Sequence, residues 1–187
     1  MLADLALNDC VSVTGGWGAG YDTGFSNNGG SVFIGGLSLQ LTDNMSLGYT
    51  TAVGDVGYGT TTGSDTNGYS HTVLLTTQFM ERFTFILQSN LLDNDTFLGS
   101  TTNIFTVNKY LLYEINDALA LGARYEWIKN PGFGAGASGE ATSLTFGLNV
   151  RPHANLVVRP EIRWDDYHRA ANARDATIFG IDAIITY

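Results

Sequence analysis

Between Asn155 and Trp164 the chain reads NLVVRPEIRW, with Arg159, Glu161 and Arg163 at every second position and Leu156, Val158, Pro160, Ile162 and Trp164 between and around them. Arg124, Glu126, Arg151, Asp165 and Asp182 add to this ionic group, all in the last third of a chain only 14% charged. Ions gathered on one face can do two things. They can form a charged constriction that selects solutes, or a salt-bridged network that fills an interior. Catalysis is the weaker alternative. Asp165, Asp166 and His168, or Asp93, Asp95 and His71, could in principle activate water, yet no motif of specific spacing ties them together, and a non-enzymatic chain is expected. DNDT at 93–96 and GSDTN at 63–67 offer oxygens without the ligand count of a known calcium loop. No cofactor or metal is expected.

The elements that would position these residues are strands. Alternation at period two runs through almost the whole chain, predicting ten strands over roughly 10–21, 31–42, 46–59, 69–80, 83–92, 103–115, 118–129, 141–151, 155–166 and 176–187. Short connections (TDNM, MER, IND, PHA) alternate with long ones rich in Gly, Asn, Asp, Ser and Thr (DTGFSNNGG, TTTGSDTNG, DNDTFLGSTT, NPGFGAGASGE, HRAANARDA). An antiparallel up-and-down meander whose two ends treat their loops differently is the layout of a transmembrane β-barrel. A β-sandwich has no reason to segregate loop lengths. The expected organisation is one barrel domain over residues 1–187, with both termini on the short-turn side.

The faces decide which side meets lipid. Over 118–129, Leu119, Leu121, Ala123, Tyr125 and Trp127 oppose Ala120, Gly122, Arg124 and Glu126. Over 141–151, Thr142, Leu144, Phe146, Leu148 and Val150 oppose Ser143, Thr145, Gly147, Asn149 and Arg151. Ala, Gly and small polar residues make up at least half of each charged face, which suits a lumen better than a solvent coat. An Arg facing lipid would cost ~2–4 kcal/mol near the midplane, so the ions of NLVVRPEIRW are expected to point inward. Eleven residues at ~3.3 Å, tilted ~45°, span ~25 Å, the height of an outer-membrane apolar band. Trp17, Trp127 and Trp164 fall near the long-loop ends, and Phe79, Phe83 and Tyr187 at the short-turn ends, as two aromatic girdles. Pro160 cannot donate to a ladder and predicts a bulge or local opening.

LLYEIND, LGARYEW, GLNVRPHANLVVRPEIRWD and the ending GIDAIITY resemble the β-barrel porin family of OmpL-like barrels from Gram-negative outer membranes. LSLGYTTAVGDVGYG and GYSHTVLLTTQF fit the earlier strands of that family more loosely. The ending also resembles the outer-membrane insertion signal, with Tyr187, Ile185, Ala183, Ile181 and Phe179 on one face. The resemblance implies outer-membrane location and passive transport of small solutes.

Charge and cysteine content bound the rest. A net charge of −9 argues against a nucleic-acid partner. Cys10 alone builds no intrachain disulfide. The start, MLADLALNDC, lacks the basic region of a signal peptide, as expected of a mature form or of a piece of something longer. Two functions remain. One is a porin-like channel whose lumen is lined by Arg124, Glu126, Arg151, Arg159, Glu161, Arg163, Asp165 and Asp182. The other is a closed barrel acting as anchor, adhesin or subunit of a larger assembly. Outer-membrane lipid is the expected partner; a homo-oligomer or larger membrane complex stays open.

Overall fold

A computed structural model describes residues 1–19, 31–55, 67–97, 100–129, 139–168 and 175–186. Within them lie eleven strands: β1 Leu2–Asn8, β2 Val11–Gly18, β3 Val32–Thr42, β4 Met45–Asp55, β5 Asn67–Phe79, β6 Phe83–Phe97, β7 Ser100–Asn116, β8 Leu119–Lys129, β9 Glu140–His153, β10 Leu156–His168 and β11 Ala176–Ile185. They form one sheet in strict sequence order, every neighbour antiparallel. Among the described residues no pairing joins β1 to β11, so the meander is an open strip with two edges.

The ten expected strands are all present, but the count is corrected to eleven by β1. Leu2, Ala3, Leu5, Ala6 and Leu7 place apolar residues on both faces, so period two is invisible there. Pairing reveals the strand: Leu2 sits opposite Gly16 and Leu5 opposite Val13, and Thr14 Oγ1 donates to Asp4 Oδ1 at 2.5 Å. The extra strand also corrects the termini. The Met1 ammonium donates to Trp17 O at 2.7 Å at the long-loop end, while Ile185 pairs with Leu156 at the short-turn end. DNDTFLGSTT is not a long loop either. Strands β6 and β7 run through it to Phe97 and Ser100, because Asp93 opposite Asn103 and Asn94 opposite Thr102 continue the ladder.

The short turns are built by side chains that cap the backbone two residues on. Asn8 Oδ1 accepts from Cys10 N (2.8 Å), Thr42 Oγ1 from Asn44 N (3.3 Å), Asn116 Oδ1 from Ala118 N (2.9 Å) and His153 Nδ1 from Asn155 N (3.3 Å). The turn after β5 differs. Met80 and Glu81 hold φ of 52° and 57°, a left-handed conformation that costs non-glycine residues ~1–2 kcal/mol each. Three contacts offset that cost: Gln78 Nε2 to Glu81 O (3.0 Å), Arg82 Nη1 to Ile115 O (3.1 Å) and Glu114 N to Arg82 O (2.9 Å).

Burial separates the two faces. The buried side chains, Val32, Ala120, Ala141, Ser143, Thr145 and Asp165, all project from one face, the charged one. Small side chains that shade one another mark this as the concave side. Leu111, Leu144, Phe146, Leu148, Phe179, Ile181 and Ile185 stand exposed on the other. A continuous exposed apolar face has no place in water and is what a membrane-spanning sheet presents to lipid.

Candidate functional site: the charged inner face

Strands β8 to β11 bring the ionic residues together, because each contributes alternate residues to the concave side. Their pairing is tight but differs from simple cross-strand matching. Arg159 is bound across strands by Asp182, Nε to Oδ1 at 2.8 Å and Nη2 to Oδ2 at 2.7 Å, a fork-to-fork geometry. The other two pairs lie within one strand. Arg163 Nε meets Asp165 Oδ1 at 2.5 Å, and Arg124 Nε lies 3.1 Å from Glu126 Oε2. The Arg124–Glu126 pair is close enough for Coulombic attraction but too misaligned for a hydrogen bond, leaving both atoms unsatisfied. Arg124 Nη2 instead reaches Thr145 Oγ1 at 3.4 Å.

Asp165 is the best-held ion, at 6% exposure. Ser143 Oγ donates to it at 2.6 Å, and Arg163 Nη2 reaches Ser143 Oγ at 3.2 Å. The three groups close a ring, which explains how a carboxylate tolerates burial. Arg151 stands apart near the short turn after β9, its backbone N–H on Ala118 O (2.8 Å).

Glu161 is held differently. Its lateral neighbours are Gly147 on β9 and Gly180 on β11, and Gly147 in turn pairs with Gly122 on β8. A Cβ built on Gly180 would come within 3.3 Å of Glu161 Cγ, so the glutamate side chain lies closely over the glycine. A hollow of about 540 Å³ opens over this row, bordered by Tyr110, Arg124, Asn149, Arg159, Glu161 and Asp182. Pro160 contributes as expected. Arg159 and Pro160 lack rungs to β9, and the register resumes unchanged at Glu161–Gly147; the bulge lies lower, between Leu156 and Val158.

The aromatics expected in the girdles pack against neighbouring rings. Trp17 packs on Phe33 (centroids 6.1 Å), Trp127 on Phe105 (5.8 Å) and Trp164 on Phe146 (6.1 Å) toward the long-loop side, while Phe79, Phe83 and Tyr113 stack at 5.3 and 4.5 Å near the short turns. Tyr187 lies outside the described residues. The described residues weighed for catalysis fall on opposite faces, with Tyr69 lying between His71 and Asp93 on the outer one. Asp165 is buried in its ring, whereas His71 Nδ1 bonds Tyr49 Oη (2.7 Å) on the outer face. Asp93 accepts from Tyr69 and Asn103, each at 3.2 Å. The side chains of Asp95 and His168 lie outside the described residues, as does most of GSDTN. Among the described residues no three His, Cys, Asp or Glu are grouped to hold a metal.

Two features escaped the alternation pattern. Thr72 Oγ1 (2.9 Å) and Gln88 Nε2 (3.0 Å) both donate to Asn90 Oδ1, and Asn90 Nδ2 donates to Thr106 Oγ1 (2.7 Å). This uncharged ladder crosses the concave face of β5 to β7, and its only signal was a polar residue at every second position. The second is Lys109, a cation on the lipid face between Leu111 and Val107, its Nζ 5.9 Å from the Tyr125 ring centre. Such a contact contributes ~0.5–1 kcal/mol, less than the ~2–4 kcal/mol a central cation costs. Lys109→Leu is therefore expected to stabilise the folded protein by about 1–2 kcal/mol, read as a higher urea midpoint in lipid vesicles. A lower midpoint would contradict the face assigned to β7.

A family model described as putative beta-barrel porin-2, OmpL-like, matches residues 1–187. No curated protein matches the chain. Solved structures that resemble it include three outer-membrane barrels. A loop L8 deletion mutant of OmpT, an outer membrane protein of Vibrio cholerae, has a TM-score of 0.71 at 14% identity, covering 98% of this chain and 61% of that one. Outer-membrane expressed OmpT of Vibrio cholerae has a TM-score of 0.61 at 14% identity, covering 95% and 77%. A Pseudomonas aeruginosa FadL homologue has a TM-score of 0.57 at 12% identity, covering 97% and 64%. The chain thus spans about 61% and 64% of the length of two of these barrels. At such identities the likeness is one of fold: an antiparallel outer-membrane β-barrel.

Proposed function

Because this chain belongs to the putative beta-barrel porin-2, OmpL-like family and so resides in the Gram-negative outer membrane, we propose that its concave face lines a passive, non-catalytic channel for small solutes. The ionic band of β8 to β11 forms the charged part of that lumen. The observation that carries this reading is the hollow of about 540 Å³ over Gly122, Gly147 and Gly180, rimmed by charge. Glycines keep the wall thin where arginines and carboxylates converge, leaving solvent room beside fixed ions, as a constriction requires. The concave sides of β2 to β4 support it, lined by Ser12, Thr14, Gly16, Ser38, Gly48 and Thr50. The Arg163–Asp165–Ser143 ring favours the other reading, a locally filled wall, so the two differ in what the more exposed pair does.

Arg159 and Asp182 are about half exposed, at 46% and 55%, and a pair so exposed contributes only ~0–1 kcal/mol. Joint replacement, Arg159→Ala with Asp182→Ala, is expected to leave heat-modifiable folding intact and to raise single-channel conductance in planar bilayers. Zero conductance in both wild type and double variant would rule out the channel in favour of a closed barrel.

A further inference from the structure

Three carboxylates of the ionic band are each bound to an arginine: Asp182 to Arg159, Asp165 to Arg163 and Glu126 to Arg124. Glu161 is the remainder. Its carboxylate takes part in no hydrogen bond or ion pair among the described residues, and both lateral neighbours are glycines that offer it none. The arginines two positions away on its own strand are already engaged. Arg159 attracts Glu161 through space but spends its hydrogen bonds on Asp182, so the band over the hollow holds three arginine–carboxylate pairs plus one further negative charge without a hydrogen-bonded cation among the described residues. The concave face has the same sign: among the paired residues of the described strands Arg124, Arg159 and Arg163 oppose Asp4, Glu114, Glu126, Glu161, Asp165 and Asp182, while Arg151 lies at the register shift near the short turn.

A fixed charge in a narrow, low-dielectric passage concentrates counter-ions and repels co-ions far more than the same charge in bulk water. Glu161 also borders the hollow instead of being packed away, so a passing solute can meet it without displacing a protein partner. Resting on the channel reading above, we propose that Glu161 is the residue that sets the channel's selectivity, making it prefer cations and solutes that carry an ammonium or guanidinium group.

The test is the reversal potential of the refolded full chain in planar bilayers under a KCl gradient. Wild type is expected to show cation preference. Glu161→Gln, which keeps the shape, should move the potential toward zero, and Glu161→Lys should move it further in the same direction. Arg159→Gln, which frees Asp182, should shift it further toward cations. Liposome swelling should be faster with arginine than with glutamate for wild type, by a margin that shrinks for Glu161→Gln. Absence of any conductance overturns the channel reading and this inference with it. Conductance without cation preference overturns this inference alone, as does a potential that Glu161→Gln leaves unchanged. A shift of Arg159→Gln in the same direction as Glu161→Gln overturns the electrostatic account.

Discussion

Replacing Leu111 by Arg is expected to lower the stability of the membrane-inserted protein by about 2–4 kcal/mol, roughly a 30- to 900-fold loss in the folded-to-unfolded ratio. Leu112→Arg, one residue on, is expected to cost far less. Leu111 projects from the apolar face of β7, 42% exposed, opposite Phe85 and Ala123. An arginine there loses its hydration to hydrocarbon unless it deforms the bilayer or reaches the interface. Leu112 faces the concave side, opposite Thr84 and Gly122 and beside the 540 Å³ hollow, where a guanidinium finds water and carboxylates. The measurement is the fraction of heat-modifiable folded protein after refolding into vesicles across a urea series. Equal losses for the two variants would overturn the assignment of faces, because nothing but the side facing lipid separates these neighbours.

The second large effect is at Asp165. Asp165→Leu should destabilise the protein by about 3 kcal/mol, since removing one partner of a buried ion pair strands the other. The cost falls on Arg163, whose Nε loses a contact at 2.5 Å, and on Ser143, whose hydroxyl loses its acceptor at 2.6 Å. Asp165→Asn keeps one acceptor oxygen and should lose about half as much. The joint replacement, Arg163→Leu with Asp165→Leu, should be clearly less damaging than the two single effects added, because the stranded charge is removed with its partner. Strict additivity in this cycle would show that the pair is not coupled.

Period-two alternation made the two faces and the membrane location legible without coordinates. Each of these depends only on whether a residue is odd or even along its own strand, and lipid enforces that pattern at every strand. It is why Arg159, Glu161 and Arg163 could be turned inward from the ten residues around them. Pro160 was legible for a similar local reason, a missing N–H. Where both faces are apolar, as from Leu2 to Leu7, parity carries no signal and β1 was lost, and with it the placement of the termini. Loop composition misled at residues 93–102, since Asn, Asp and Thr continue a ladder whenever a partner strand supplies the rungs.

Partner choice was beyond the sequence altogether. Which ions meet depends on register, the offset between strands, and alternation is unchanged by any shift of two. Only the tertiary structure decided that Arg159 finds Asp182 across a strand while Arg124 and Arg163 bind carboxylates two residues along their own. The same register set Glu161 between two glycines, because the offsets of β9 and β11 against β10 bring Gly147 and Gly180, and no cation, to its sides.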